Sequence, residues 1–422
     1  MSANPGLDPR RRRSLWGLAA LGLLLMLVLA WMLRADNLVP AMLKYAGNAL
    51  DLEITAAGVG EYRLRGTPQL VVRQLVARQP GASAPVLKVE RLLVSLPWST
   101  LRARGKQLTA NRIELGAPVL DVAAFQQWQA TRPAADTQLP TLFRGARITD
   151  GMIVGAGWKI EGVALELAQL SADKSVNAHL RARYAGDGLS VPMDLHLAMT
   201  RPAAGAGIGA VGQVVVQAAQ WQLPSQIRLS AILKKGAGLQ LEPALLGAHA
   251  RHVSGTTSRP FALGLAGPLR MDGSGFAVQP MHLAVRGQGA LPTLDAAGEF
   301  LLGDALQLLL EGNLAEWPEA WPALPAPIGQ SDSPLPFLLA YRGAPDFSDI
   351  ATLQLQRDTT RFDGRFRLSS VSDWANADAG GSPLPPITGS LSSPKLEISG
   401  ALLEGVEIEL HDDAVPAQAH TP

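Results

Sequence analysis

Through most of this chain apolar and polar residues take turns one by one. A two-residue period leaves a β-strand with one wet face as the local solution. Val176, Ala178, Leu180, Ala182 and Tyr184 fall on one side, with Asn177, His179, Arg181 and Arg183 on the other. Met193, Leu195, Leu197 and Met199 alternate with Asp194, His196 and Ala198, and Ile227, Leu229 and Ala231 alternate with Arg228 and Ser230. The pattern returns in Leu353 and Leu355 beside Gln354 and Gln356, and in Phe366 and Leu368 beside Arg365 and Arg367. It returns again in Val406, Ile408 and Leu410 beside Glu407, Glu409 and His411. With 42 glycines and 31 prolines as punctuation, the chain reads as on the order of 20 short strands. Such regular alternation favours antiparallel pairing over strand–helix–strand units. The expected fold class is all-β with few short helices: a long curved antiparallel sheet or groove, or alternatively a two-sheet β-sandwich.

A different pattern fills the first residues. Arg10, Arg11, Arg12 and Arg13 precede an uncharged run from Leu15 to Leu33, which Arg34 closes. At ~1.5 Å per residue that run reaches ~28 Å, close to the hydrocarbon thickness of a bilayer. Residues 15–33 are therefore expected to form one transmembrane helix, anchored through Leu15, Trp16, Leu24, Leu25, Trp31 and Leu33. The tryptophans stand near its two ends, where indole prefers the headgroups. A cleavable signal peptide would have a shorter apolar region and small residues at its cleavage site, whereas Trp31, Met32, Leu33 and Arg34 are bulky or basic. Four cations against one place residues 1–14 in the cytoplasm. The expected location is the inner membrane of a Gram-negative cell, single-pass, with the body in the periplasm.

Beyond residue 34 charge is balanced. Removing the leader's five arginines and one aspartate from the totals of 37 and 36 leaves 32 basic against 35 acidic side chains. No basic footprint for nucleic acid remains. Cysteine is absent, which excludes disulfides, thiolate metal sites and cysteine nucleophiles and suits an oxidising compartment.

Helical signals are few. Leu38, Met42, Tyr45 and Ala49 form a stripe behind the anchor with Asn37 as N-cap, and Val122, Phe125 and Trp128 suggest a short helix entered from Asp121. Residues 317–336 hold six prolines and read as a loop. Residues 372–388 read as another, rich in Gly, Pro, Ser and Asp, and residues 412–422 as a disordered tail. One heptad echoes another: Glu161-Gly-Val-Ala-Leu-Glu-Leu167 returns as Glu404-Gly-Val-Glu-Ile-Glu-Leu410, which is compatible with a quasi-repeating β structure.

No catalytic arrangement stands out. The chain has no Gly-x-Ser-x-Gly elbow, phosphate-binding loop or His-Glu-x-x-His, so neither an enzyme nor a cofactor is expected. His249 and His252 form the one close histidine pair along the sequence, and they read as a polar loop with no further ligand nearby. Trp317 and Trp321 either meet a membrane or partner, or pin a loop to its own sheet. The informative feature is the apolar strand face, with Leu180, Leu195, Leu197, Leu229, Leu353, Leu355 and Ile408 as candidate groove residues. Aromatics make up only 5% of the chain, and an aliphatic surface suits acyl chains, which demand low polarity and a loose fit. Two such faces could equally pack together as a sandwich core.

The succession of motifs after the anchor resembles the AsmA-like family. It runs Gly66-Thr-Pro-Gln-Leu-Val-Val72, Val86-Leu-Lys-Val-Glu-Arg-Leu-Leu-Val-Ser-Leu96, Pro97-Trp-Ser-Thr-Leu101 and Ile113-Glu-Leu-Gly-Ala-Pro-Val-Leu-Asp-Val122. Ile148-Thr-Asp-Gly-Met-Ile153 and Gly389-Ser-Leu-Ser-Ser-Pro-Lys-Leu396 resemble later strands of that family. The resemblance is good over residues 15–122, patchy from 145 to 200, and a β-rich texture beyond. It divides the body into an AsmA-like β region, 37–200, and a β-rich region, 201–411. It implies a periplasmic groove lined with aliphatics, with membrane phospholipids as partners in traffic between membranes or in outer-membrane integrity. The chain is short for that group and lacks an evident C-terminal docking helix. The rival expectation is a scaffold or assembly factor whose partners are outer-membrane or secretion-system proteins, similar to protein N of the type II secretion apparatus.

Overall fold

The computed structural model describes residues 43–44, 47–48, 50–58, 62–63, 66–102, 109–131, 141–186, 188–236, 238–272, 275–289, 291–318, 321, 324, 329, 331, 333–376, 385–398, 401–412 and 415. Arg10–Arg13 and the expected span 15–33 lie outside the described residues, as do Leu38, Met42, Tyr45 and Ala49 of the stripe, half of the loop 317–336, and the tail 412–422 apart from Asp412 and Val415. Among the described residues no helix is long and apolar enough to cross a membrane. The chain divides into two compact units, residues 1–154 and 155–422.

The first unit contains β1 (Glu53–Gly58), β2 (Tyr62–Arg63), β3 (Gln69–Arg78), β4 (Pro85–Ser95), β5 (Thr109–Ala110), β6 (Arg112–Asp121), β7 (Thr141–Leu142) and β8 (Ala146–Val154). β3 pairs with β1 and β2 on one side and β4 on the other, and β4 pairs with β6, all antiparallel. Val72, Leu75, Ala77 and Val89 are buried between the strands and Leu43, Leu52 and Ile54. The helix expected after Asp121 spans Val122–Ala130, and the Asp121 carboxylate accepts from the Ala124 N–H at 2.8 Å, satisfying one of the donors a helix start leaves open. Trp128 then donates from its indole to the Leu50 carbonyl at 2.8 Å. This helix lies in the connection between β6 and β8, and those two strands pair parallel, Ile113 against Ala146 through Asp121 against Val154. The purely antiparallel expectation is corrected here: one capped helix lets the chain return to the same end of the sheet before the next strand begins.

The second unit is a meander of fifteen strands: β9 (Trp158–Leu167), β10 (Val176–Gly186), β11 (Leu189–Met199), β12 (Gly207–Gln217), β13 (Gln222–Lys234), β14 (Leu239–Ser254), β15 (Thr257–Asp272), β16 (Gly275–Arg286), β17 (Thr293–Leu302), β18 (Leu306–Glu316), β19 (Leu335–Gly343), β20 (Ile350–Arg357), β21 (Thr360–Arg367), β22 (Ile387–Ile398) and β23 (Ala401–Leu410). Each pairs antiparallel with the next in sequence, and β9 and β23 do not pair with each other. Among the described residues no second sheet stacks on this one, so the long open sheet holds here and the sandwich does not. β14 and β15 have 16 residues each, longer than the short strands expected. Between β21 and β22 the helix Leu368–Asn376 replaces the start of the expected loop 372–388; its Val371 packs against the cluster around Phe366 and Ile387, which outweighs poor intrinsic helix formers such as Ser369 and Ser370.

The sheet bends because its ladder slips. Register shifts fall between Ala231 and Leu233, Leu241 and Ala244, Ala266 and Leu269, and Val278 and Met281. Each such bulge bends and twists its strand locally. The residues beside them, Ala231, Leu241, Ala244, Val278 and Met281, are buried although a single layer covers them. The heptad echo also has a structural counterpart. It lies in β9 and β23, the first and last strands of the unit, and both of its glycines are left-handed, Gly162 at φ 60 and Gly405 at φ 64. A side chain there would be strained. The pairing register shifts at Gly162 in β9, whereas the register of β22 and β23 continues unchanged on either side of Gly405.

Candidate functional site

The strand registers turn scattered alternating residues into rows. Starting from Leu167, directly opposed partners run through Ala178, Leu197, Ala210, Leu229, Leu246, Leu265, Leu283, Ala296, Gly312, Phe337, Leu355, Phe362 and Leu391 to Ile408. One residue from each of the fifteen strands contributes, and none is polar. A neighbouring row begins Leu165, Leu180, Leu195, Gly212, Ile227, Ala248 and Leu263. Of the candidate groove residues, Leu197, Leu229, Leu355 and Ile408 share the first row, Leu180 and Leu195 share the second, and Leu353 sits beside Leu355 opposite Leu339. All seven are half-buried. The sheet therefore gathers them onto one face.

That face is aliphatic where the sheet begins and has a polar, aromatic border. Trp158 and Tyr184 stack at 6.1 Å, and Trp221 lies 6.2 Å from His252, the residue opposite Arg259. Burial, and after it the charge of Arg259, push the His252 ring below its ordinary pKa. His249, three residues earlier, falls on the other face of the strand and is exposed, so the sequence-adjacent histidines do not converge. Trp317 and Trp321 meet edge to face at 4.8 Å, and Trp317 packs against the buried cluster of Val278, Met281, Leu310 and Phe337. They pin this segment to its own sheet. The anchor residues and Arg10–Arg13 lie outside the described residues.

The opposite face is wet and charged. Arg286 grips Asp295 with two bonds at 2.8 and 3.0 Å, Lys159 meets Glu161 at 2.7 Å, and Gln279 donates to Glu299 at 2.6 Å. Exposed pairs of this kind contribute little stability, but they mark which side faces water. On this side stands a group that the sequence reading passed over. His179 and His196 oppose each other across β10 and β11, with rings 4.4 Å apart and nearly parallel, and Asp194 reaches the His179 Nε2 at 2.5 Å. The hydrogen bond to His179 holds the Asp194 carboxyl below its ordinary pKa. A signal for it existed in the sequence: an Asp-Gly pair at 187–188 is a signature of a two-residue hairpin, and the strands do pair Gly186 with Leu189 and, in the same register, His179 with His196.

Comparison of the chain with protein-family models, with curated proteins and with solved structures finds no match.

Proposed function

We propose that this chain is an AsmA-like protein, anchored in the inner membrane with its body in the periplasm, whose aliphatic sheet face shelters acyl chains during phospholipid traffic between membranes or in outer-membrane maintenance. No catalytic step belongs to this reading. The observation that supports it is the fifteen-position row without a polar residue, on a face that no second sheet covers among the described residues. Magnitudes favour such a surface. A chain of about 16 carbons in water loses on the order of 12 kcal/mol relative to an apolar environment, at ~0.8 kcal/mol per CH₂. From Leu167 to Leu265, where the leucines of the row are half-buried, six interstrand steps of ~4.8 Å give ~29 Å of contour, enough for an extended acyl chain. Headgroups would remain at the border, where His252, Arg259 and the tryptophans mix polarity with aromatic surface.

The test is mass spectrometry of lipids that co-purify with the full chain after mild detergent extraction, compared with Leu180→Asp, Leu195→Asp and Leu229→Asp. Phospholipid bound by the parent and lost from variants that keep their β-sheet circular dichroism is the expected result. Equal lipid in the parent and all three folded variants would assign it to the membrane anchor and overturn the groove.

A second reading, a scaffold for outer-membrane or secretion-system proteins, is favoured by β23. Among the described residues this strand pairs only with β22, and its Leu402 and Leu403 are 62% and 42% exposed. An unpaired strand edge with exposed leucines recruits partner strands.

A further inference from the structure

We infer that His179, Asp194 and His196 form a site for a transition-metal ion of the zinc, nickel or copper class, on the face of the sheet opposite the apolar rows. The ligand atoms of the three residues all lie within 4.8 Å of one another. In a tetrahedral site with metal–ligand bonds of about 2.0–2.2 Å, donor atoms stand ~3.3 Å apart. The set therefore closes around an ion by rotamer adjustments of half-exposed side chains, with no movement of the backbone.

The backbone is already fixed. β10 and β11 are in register from Val176 opposite Met199 to Gly186 opposite Leu189. Directly opposed Cβ atoms in such a pair are about 4.5–5.5 Å apart, which brings two imidazoles to one ion. Asp194, two residues before His196 on the same strand, points to the same side and adds the third donor. Stacked parallel rings are a weak reason by themselves for two histidines to share a position. A shared ion explains both the pairing and the carboxylate that joins them.

Donor chemistry selects the ion. Two imidazole nitrogens and one carboxylate oxygen suit borderline ions such as Zn²⁺, Ni²⁺ or Cu²⁺, whereas Ca²⁺ and Mg²⁺ call for oxygen ligands. Glu166 stands opposite His179 on β9, on the same face, where a carboxylate can orient a ligating ring through its remaining N–H. Arg181, opposite Asp194, and Arg183 share that face too. The two carboxylates offset these two cations, so binding depends on coordinate bonds and not on a negative field. Three protein ligands leave a position for water, and an ion there would link β10 to β11 on the wet side near the start of the unit.

The test uses the full chain in mild detergent, carrying no histidine tag and stripped with a chelator. It is titrated with Zn²⁺ alone and then Ni²⁺ alone by calorimetry. One ion per chain is expected, and the thermal transition should rise with free metal, because an ion that binds only the folded state stabilises it. His179→Ala and His196→Ala should each weaken binding by at least ~10–100-fold, the loss typical of removing even an outer partner of a metal ligand. His249→Ala should leave binding unchanged. Should either alanine variant fail to keep its circular dichroism, His179→Gln and His196→Gln take their place, being polar and accommodated on a wet face. Absence of saturable binding by the parent would overturn the site, as would parent-like affinity in folded His179 and His196 variants. Equal loss on His249→Ala would overturn it too, since the ion would then be held elsewhere.

Discussion

Two regions of the same sheet obey the same alternation and end differently. In β10–β13 the apolar face is half-open: Leu180, Leu195, Leu197 and Leu229 all keep partial exposure, and the residues buried beside them are small, Ala210 and Ala231. In β16–β21 the face closes on itself. Met281, Leu306, Leu310, Leu335, Phe337, Tyr341 and Phe366 are buried, with Phe276, Phe300, Trp317 and Val371 packed around them. Side-chain volume makes the difference. Alanine and glycine stand between the leucines of the early rows, while phenylalanine, tyrosine and a tryptophan brought back by the chain fill the later ones. Tyr341 is held there by donating to the Ala344 carbonyl at 2.6 Å while accepting from the Asp349 N–H at 3.3 Å. A period of two decides which face is apolar, and residue size decides whether that face remains available to a guest.

The sharpest way to break this contrast is to place a charge in each region. Leu310 is 5% exposed, and an unpaired carboxylate there has neither water nor a partner. Leu310→Asp should destabilise by about 4 kcal/mol or more and lose the folded unit. Leu195→Asp should cost about 1–2 kcal/mol, because its carboxylate can reach solvent from the half-open face. Urea unfolding followed by circular dichroism reads both, and equal losses would show that the early region is as closed as the late one. Truncation should give the same order on a smaller scale. Leu335→Ala, at a site 3% exposed, should cost about 2–5 kcal/mol through lost transfer energy and a cavity. Leu197→Ala should cost about 1 kcal/mol, because much of its surface already meets solvent.

How much of this was legible in the sequence follows from which contacts are local. The strands and their apolar sides were readable, since Leu180, Leu195, Leu229, Leu355 and Ile408 announce their side by alternation alone. The Asp121 cap was readable as well. The bulges had a signal that alternation does not use: Pro243, Pro268 and Pro280 fall inside three of the four slips, and a proline, with no N–H to give the ladder, is confined within a sheet to edges and bulges. The parallel return of β8 beside β6 was missed because alternation is blind to strand direction. The helix Leu368–Asn376 was missed because packing by Val371, and not propensity, holds it. The group of His179, Asp194 and His196 lay closest to being read. Alternation alone puts its three residues on the wet sides of adjacent strands, and the register of a two-residue Asp-Gly hairpin brings them together.

The smallest expected effect is the one that would locate acid sensitivity in the open region. His252 borders the early face, and its folded-state pKa lies below the ordinary 6.5 because burial and Arg259 disfavour the imidazolium. The unfolded chain therefore takes up this proton first as pH falls. Stability contributed by the neutral ring is full above 6.5, declines as pH drops below that value, and levels off once the folded pKa is passed. Asp194 and Glu161 are also lowered near this region, and their contributions, present above their ordinary 3.8 and 4.5, are lost only below those values, so their windows are separate from that of His252. Between pH 7 and pH 5, hydrogen-exchange protection, taken relative to the intrinsic exchange rate at each pH, should fall in β13–β15 around His252 and change little in β18–β20, where Leu310 and Phe337 are buried. His252→Gln keeps a polar side chain at the border and removes the titration, and it should flatten the response of β13–β15 over that range. A response of the same size in β18–β20, or one that survives His252→Gln, would mean that acid acts on the sheet as a whole and that its two regions are not energetically distinct.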